Sequence, residues 1–216
     1  MKNYKYIMFD LDGTITDPKI GITKSVAYAL KYFGIEIDNL DTLRKFIGPP
    51  LKESFVEYYG FSEHDANLAV EKYREYFGVT GLYENTVYCG MEKLLQNLRN
   101  HKKILIVATS KPTVYAIKIL EHFDLLKYFN FVAGSELNGD RTKKSEVIAY
   151  ALEQNKIEDL TGVIMIGDRE HDIIGAKKVS ISSLGVLFGY GDRNELEKAG
   201  ADFIADTVKE IGHLLL

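Results

Sequence analysis

The chain contains little cysteine and proline, and its charges nearly balance. The single cysteine of its 216 residues, Cys89, excludes an internal disulfide and fits a reducing compartment. With 27 basic and 31 acidic residues the formal net charge is −4, which argues against a nucleic-acid binder that relies on a basic face. The four prolines form no Pro-rich linker. We therefore expect no disulfide scaffold and no nucleic-acid partner.

Long apolar runs are also missing. No run approaches the roughly 20 residues that a membrane helix needs, and Asp10 interrupts the first apolar stretch, so the N-terminus has no signal-peptide core. Hydrophobic residues make up 46% of the chain, which is enough for a folded core. The sequence predicts a soluble, cytoplasmic protein that does not bind membranes. We expect a monomer and leave a dimer open.

Short, uniformly apolar segments alternate with helical patterns in most of the chain. The predicted strands are Tyr6–Phe9, Ile104–Ala108, Phe131–Ala133, Val163–Ile166 and Ser183–Phe188. The helices predicted between and after them are Met91–Asn100, Thr113–His122, Ser145–Gln154 and His171–Val179, with Pro112 expected as the first residue of its helix. Uniformly apolar strands suit a parallel sheet that is covered on both faces. The alternation predicts a doubly wound α/β core.

A helical insertion interrupts this alternation after the first strand. Between Thr14 and Ile104 the sequence shows no comparable strand, and it predicts helices over 20–33, 51–59 and 62–77. Three glycines follow these helices as expected C-terminal stops, namely Gly34, Gly60 and Gly78. We predict a catalytic core of residues 1–15 and 86–216, with a helical domain of residues 16–85 inserted between its two parts.

Two aspartates stand directly after the first strand. Asp10 and Asp12 are two residues apart, so their side chains would share one side of a continuing strand. Carboxylates this close repel each other unless a cation or a proton lies between them, and Mg²⁺ prefers such oxygen ligands. Gly13 would allow a sharp turn. Because Asp and Gly are also common turn residues, the run alone does not decide between a turn and a site.

Two further segments carry polar groups to predicted strand or helix ends. Thr109 follows a buried strand, where its hydroxyl could donate to an anion or could merely cap the next helix. Lys143 and Lys144 belong to a basic cluster at a predicted helix start, where positive charge opposes the helix dipole. That placement suggests an anionic partner, although an ordinary solvated charge run remains the alternative.

A fourth segment brings two more carboxylates. Asp168 follows a strand, and Asp172 stands four residues later, so the two would share a helix face if the helix began near Arg169. We expect His171 to be exposed or packed rather than a ligand, because oxygen-rich surroundings do not favour metals that choose imidazole.

Together the four segments resemble the motifs of the haloacid dehalogenase superfamily in order and spacing. They are Asp-x-Asp-Gly-Thr after the first strand, Thr after the second, an isolated Lys before a helix, and Gly-Asp-x-x-x-Asp after a later strand. The resemblance covers nearly the whole chain and implies a Rossmann-like core with a helical cap of the first type. Within the superfamily, residues 46–51, 108–112, 166–169 and 185–191 resemble the phosphoglycolate phosphatase branch and bacterial 5′-nucleotidase-like proteins.

The resemblance implies a role for each matching residue. Asp10 would be the nucleophile, and Asp12 would protonate the leaving oxygen and later activate water. Lys144, rather than its neighbour Lys143, would hold the phosphoryl group. Gly13, Thr109 and Ser110 would also contact the phosphate. Mg²⁺ would bind Asp10, the Asp12 backbone carbonyl and Asp168, with Asp172 either a direct ligand or a partner of the ligands.

These roles imply a Mg²⁺-dependent phosphomonoester hydrolase for small phosphorylated metabolites. Dehalogenases of the superfamily lack an acid at the position of Asp12, so its presence favours phosphate esters. We expect the cap to close over the leaving group, with the Gly48 loop facing the site. Arg44, Lys45 and Lys52 are candidates for anionic substrate groups, although a solvated helix surface explains them as well.

Other functions fit less well. A phosphomutase of the β-phosphoglucomutase type shares the core motifs but has a cap pattern that we do not find here. A cysteine-based phosphatase is excluded because Leu95 stands where its loop, which would begin at Cys89, needs Arg. The sequence contains no P-loop. From a different class, a non-catalytic phospho-binding or regulatory protein is conceivable, although every expected catalytic residue is present.

Overall fold

A computed structural model describes residues 3–216. Its strands, in chain order, are β1 Tyr6–Phe9, β2 Thr16–Asp17, β3 Thr86–Val87, β4 Ile104–Pro112, β5 Phe131–Ser135, β6 Val163–Gly167, β7 Ser182–Val186 and β8 Phe203–Ala205. Its α-helices are α1 Lys19–Tyr32, α2 Leu51–Tyr59, α3 Glu63–Tyr76, α4 Met91–Asn100, α5 Thr113–His122, α6 Lys144–Gln154, α7 Glu170–Lys178, α8 Arg193–Ala199 and α9 Val208–Leu215. Short 3₁₀ and π helices lie at Leu40–Phe46, Phe77–Gly81, Leu126–Tyr128 and Leu160–Gly162. Within this range no helix combines the length and the apolar character needed to span a membrane.

The main sheet has its first strand in the middle. Six strands of the described range form a sheet in the order β5-β4-β1-β6-β7-β8, and every neighbouring pair is parallel. Along the chain, β4 and then β5 are added on one side of β1, and β6, β7 and β8 are added in turn on its other side. Ligands of such sheets bind outside the carboxyl ends of the strands, where the strand order reverses. The predicted doubly wound α/β core is confirmed.

The strands beside this reversal are fully buried. Ile7, Met8 and Phe9 of β1 expose none of their surface, and β6 is buried along its whole length. Each such side chain contributes roughly 1.5–3 kcal/mol through burial, and the uniform apolar pattern reflects a sheet that is covered on both faces. The residues that follow these strands therefore start from a well-fixed backbone.

The chain divides into two compact units. One comprises the chain up to Asp17 together with Val87–Leu216, and the other comprises Pro18–Thr86. These boundaries lie within two residues of those expected from the sequence. The regular elements of the second unit are helices, apart from its last residue, which begins β3. The unit has its own core, in which Phe46 and Phe55 are buried with ring centroids 5.1 Å apart. Its role as a cap stays a prediction.

Two expected helix boundaries are wrong. Pro112 ends β4 and precedes α5, which begins at Thr113, because the backbone of Pro112 is still extended (ψ 132°). Gly78 does not stop α3, since the chain continues as a π-helix over Phe77–Gly81. By contrast, Gly34 and Gly60 take the left-handed conformation expected after a helix, with φ of 74° and 66°.

Candidate active site

Asp10 lies at the carboxyl end of the central strand. Its amide donates to the Ile166 carbonyl of β6 (2.8 Å), so the parallel ladder continues to this residue. Its side chain is buried, and Oδ1 accepts from the Leu11 amide at 2.7 Å. The sheet thus holds one carboxylate in place at the reversal of the strand order.

Gly13 allows a second carboxylate to approach closely. Its φ is +80°, and a Cβ atom on it would lie 2.2 Å from Oδ2 of Asp168. The Gly13 amide donates to the Thr16 carbonyl at 2.7 Å. The structure therefore shows a steric role for Gly13, and its contact with phosphate stays a prediction.

Lys144 lies between two carboxylates. It is the first residue of α6 and is buried, with Nζ 2.8 Å from Oδ1 of Asp10 and 2.8 Å from Oδ1 of Asp172. Its third contact is a hydrogen bond to the Ala108 carbonyl at 3.1 Å. Burial alone would lower the pKa of Lys144, but the charges of Asp10 and Asp172 outweigh it and raise the pKa, so the group stays cationic.

The neighbouring lysine is placed differently. The side chain of Lys143 is 73% exposed, and its Nζ lies 4.0 Å from Glu146. The structure therefore places Lys144, and not Lys143, among the carboxylates.

Three carboxylates converge beside Lys144. One oxygen from each of Asp10, Asp168 and Asp172 lies within 4.8 Å of the other two. Asp168 Oδ2 accepts from the Tyr190 amide at 2.8 Å, and Asp172 Oδ2 accepts from the Arg169 amide at 3.1 Å. Burial, followed by the charges of Asp172 and Asp10, raises the pKa of Asp168 well above its ordinary value. Burial also raises the pKa of Asp172, to about 6.

The expectation that Asp168 and Asp172 share a helix face is wrong. The helix α7 begins at Glu170, and Asp168 lies in the connection after β6. The two carboxylates meet because one follows the strand and the other stands in the first turn of the helix. His171 is exposed and lies outside the cluster, as expected.

The cluster fits a hard divalent cation. Its donors are carboxylate oxygens, which suit Mg²⁺ rather than softer metals. The three carboxylates are buried and close together, and like charges this close favour a bound cation. The side chain of Asp12 is not part of the cluster, and a contact of its backbone carbonyl with the metal stays a prediction.

The end of β4 supplies a hydroxyl and a second lysine. Thr109 is buried, and its Oγ1 accepts from the Lys111 amide at 3.2 Å, so the hydroxyl proton remains to be donated. Nζ of Lys111 lies 2.7 Å from Oδ2 of Asp12. Lys111 has no role among the predictions from the sequence, although its spacing of two from Thr109 on an extended segment was an available signal. The carbonyl of Ser110 accepts from Ser135 Oγ at 2.8 Å, and the phosphate contact of Ser110 stays a prediction.

The Asp12 side chain is 13% exposed, and only one of its two carboxyl oxygens has a partner. Burial raises its pKa and the charge of Lys111 opposes this rise, whereas the charge of Asp10 adds to it. Oδ1 of Asp12 is buried and has no hydrogen-bond partner. A carboxyl oxygen in this state can exchange a proton with a group that the chain itself does not supply.

The strand ends therefore define an enzyme site with a buried nucleophile candidate, a proton-transfer candidate and a cation site. The chain belongs to the family described as Haloacid dehalogenase-like hydrolase, whose sequence model matches residues 7–186. This match confirms the resemblance inferred from the four segments, and it identifies the chain as an enzyme of a hydrolase family.

Related proteins carry names from phosphoryl chemistry. A 5′-nucleotidase from Pseudomonas aeruginosa is 47% identical over 193 residues, which cover 89% of this chain and 87% of the relative. The crystal structure of a predicted phosphatase from Clostridium acetobutylicum superposes with a TM-score of 0.96 at 49% identity, covering 99% of this chain and 98% of that one. A protein named Tyrosine-protein kinase PtkA from Mycobacterium tuberculosis is 34% identical over 212 residues, covering 97% of this chain and 72% of the relative. Phosphoric monoester hydrolysis, the predicted class, is supported by the first two names.

Proposed function

We propose that the protein is a Mg²⁺-dependent phosphomonoester hydrolase that acts on small phosphorylated metabolites through an aspartyl-phosphate intermediate. The observation that carries this proposal is the buried ammonium of Lys144, 2.8 Å from both Asp10 and Asp172. A cation beside Asp10 lets an anionic phosphoryl group approach an anionic nucleophile. A bound Mg²⁺, held by Asp10, Asp168, Asp172 and the Asp12 carbonyl, would supply further charge stabilisation there.

In the first half of the reaction, a carboxylate oxygen of Asp10 attacks phosphorus and forms the new P–O bond. The bond from phosphorus to the ester oxygen breaks, and Asp12 donates a proton to that oxygen. The Thr109 hydroxyl and the Lys144 ammonium stabilise the charge on the equatorial oxygens, which is where most of the catalytic effect arises in phosphoryl transfer.

In the second half, water attacks phosphorus, and Asp12 accepts a proton from it. The bond between phosphorus and Asp10 breaks, inorganic phosphate leaves, and Asp12 is again protonated for the next cycle. Burial raises the pKa of Asp12, which favours the protonated form that the first half of the reaction needs.

The helical unit, Pro18–Thr86, would serve as the cap that the family resemblance implies, and would exclude water during the reaction. Two of the three basic candidates for substrate contact have partners inside this unit. Lys45 Nζ lies 4.1 Å from the ring centroid of Tyr58, and Lys52 pairs with Glu63 at 2.7 Å. These partners favour a surface role for both lysines over substrate binding.

The test is phosphate release with Mg²⁺ across nucleoside monophosphates, phosphoglycolate, sugar phosphates and phosphotyrosine, with Asp10→Asn as the control. Nucleoside monophosphates come first because of the 47% identical nucleotidase. We expect one class of ester to stand well above the rest, with its turnover lost in the variant and abolished by EDTA.

A second set of assays tests for kinase and phosphomutase activity. The 34% identical kinase motivates an assay with ATP and a tyrosine peptide as acceptor, and sugar phosphates are also checked for isomerisation. Transfer to tyrosine or conversion between sugar phosphates, without release of phosphate from any monoester, would overturn the proposal. Binding of these esters without turnover would indicate a regulatory protein instead.

A further inference from the structure

We propose that Lys111 is a positioning residue for the Asp12 carboxylate and thereby adapts the enzyme to phosphate esters with poor leaving groups. The inference rests on the proposed function, in which Asp12 transfers the proton to the leaving oxygen. Nζ of Lys111 lies 2.7 Å from Oδ2 of Asp12, and the two side chains are only 6% and 13% exposed.

Asp12 requires such a partner. It stands two residues from another carboxylate, Asp10, which repels it. Within residues 3–216, Lys111 supplies the only ion pair or hydrogen bond of the Asp12 carboxylate, because the other oxygen, Oδ1, has no partner. Removing one member of a buried pair leaves the other charge uncompensated, so Asp12 would not keep this orientation without Lys111.

Lys111 itself is well anchored. It belongs to the last residues of β4, and its amide donates to Oγ1 of Thr109 at 3.2 Å. The neighbouring carbonyl of Ser110 accepts from Ser135 Oγ at 2.8 Å, and Pro112 pairs with Ser135 of β5 after a register shift in the ladder between Ala108 and Pro112. The ammonium group therefore reaches Asp12 from a fixed strand end.

This arrangement gives the two oxygens of Asp12 different tasks. Oδ2 is held by Lys111, and Oδ1 remains available for the proton that passes to the ester oxygen. Proton transfer depends on placing that oxygen within hydrogen-bond reach of the reacting group, and small errors of position are costly. An alkoxide is a poor leaving group and needs the proton, whereas 4-nitrophenolate leaves readily without it.

The experiment compares kcat/KM for an alkyl phosphate monoester and for 4-nitrophenyl phosphate in four variants. Lys111→Met removes the charge but keeps a similar length, and Lys111→Arg keeps the charge. Asp12→Asn is the reference for loss of proton transfer, and Lys143→Met is the control at an exposed lysine. kcat/KM reports the steps up to phosphoryl transfer, in which the leaving oxygen is protonated.

For Lys111→Met we expect the alkyl ester to lose roughly 10²-fold in kcat/KM and 4-nitrophenyl phosphate to lose less than about tenfold. Asp12→Asn should show the same pattern with a larger loss, Lys111→Arg should recover part of it, and Lys143→Met should leave both values unchanged. The ratio of the two values within one variant does not depend on the fraction of folded enzyme, so partial unfolding cannot produce the pattern.

Equal losses for both esters in Lys111→Met, with a leaving-group dependence in Asp12→Asn, would overturn the inference and leave the proposed function standing. Equal losses in Asp12→Asn as well would remove the proton-transfer role of Asp12, and the inference about Lys111 would fail with it.

Discussion

Charged pairs at the sheet edge and charged pairs in the helical unit have similar geometry but opposite surroundings. Lys144 lies 2.8 Å from Asp10 and Asp172, with all three side chains at most 9% exposed. In the helical unit, Lys52 lies 2.7 Å from Glu63, with side chains 43% and 83% exposed. An exposed pair of this kind contributes about 0–1 kcal/mol. A buried one first incurs a desolvation cost of several kcal/mol per ion.

The comparison indicates what each set of charges does. Apolar residues of similar volume often replace a buried ion pair with no loss of stability. The cluster at the sheet edge is therefore not explained by stability, and a chemical role accounts for it. The exposed pairs need no such explanation.

The largest expected effect is on turnover, from removal of the nucleophile. Asp10→Asn should lower phosphate release by on the order of 10⁴-fold or more, because the attacking carboxylate is gone. The fold should persist, since Lys144 keeps its partner Asp172. Activity and thermal unfolding are measured together, with the exposed Asp124→Asn as the control. Turnover close to that of the wild type would exclude Asp10 as the nucleophile.

The next effect separates the two adjacent lysines. Lys144→Ala should cost about 3–5 kcal/mol of stability, because it leaves buried carboxylates unpaired. Its turnover should fall by about 10²–10³-fold with the loss of charge stabilisation. Lys143→Ala changes an exposed side chain and should alter neither value by much. Urea unfolding and steady-state kinetics provide the measurement, and the reverse ranking would reassign the phosphate-binding lysine.

A smaller effect is expected from the pH dependence of metal binding. In the metal-free folded protein Asp172 has a pKa of about 6, against an ordinary value of 3.8. The folded state therefore binds more protons than the unfolded chain between these values, and the contribution of Asp172 to stability is lost as the pH rises through this window. Because Mg²⁺ requires the ionised carboxylates, it should raise the melting temperature more near neutral pH than at about pH 5.

Thermal unfolding with and without Mg²⁺ at both pH values measures this difference, and Asp172→Asn should reduce it. An equal Mg²⁺ effect at the two pH values would show that the ion does not bind at this cluster.

The smallest effect is expected at an exposed pair of the helical unit. Lys52→Ala should change the free energy of unfolding by less than about 1 kcal/mol, because water and salt screen its pairing with Glu63. Urea unfolding of this variant and of Glu63→Ala tests the expectation. A loss of more than roughly 2 kcal/mol in the free energy of unfolding would show that exposed pairs also stabilise the fold strongly. Exposure would then not distinguish these pairs from the buried ones at the sheet edge.

The sequence predicted the elements that are uniform along their length. The bounds of β1, α2, α4 and α5 agree with the predictions, because apolar runs and helical periodicity are local signals. By contrast, β8 spans only Phe203–Ala205 and takes its place by pairing with β7 at the edge of the sheet. So short a strand depends on its neighbour more than on its own residues.

In the candidate site, too, some features could be predicted from the sequence and others could not. Asp10 and Asp168 directly follow parallel strands, and Thr109 lies near the carboxyl end of a third, so the topology alone brings them to one edge. The contact between Lys111 and Asp12 joins residues about 100 positions apart, and only the packed structure shows it. Local sequence thus predicted which residues gather at the edge, but not which side chains hold one another there.

The most direct test of the account is to look for the phosphoryl group on the enzyme. Wild-type protein and Asp12→Asn are mixed with Mg²⁺ and 4-nitrophenyl phosphate, quenched in acid and analysed by peptide mass spectrometry. The account predicts one phosphoryl group on the peptide that contains Asp10, with more of it in Asp12→Asn, because loss of the base slows the attack of water, and none in Asp10→Asn. Phosphate release with no phosphoryl group on Asp10 in either the wild type or Asp12→Asn would contradict it.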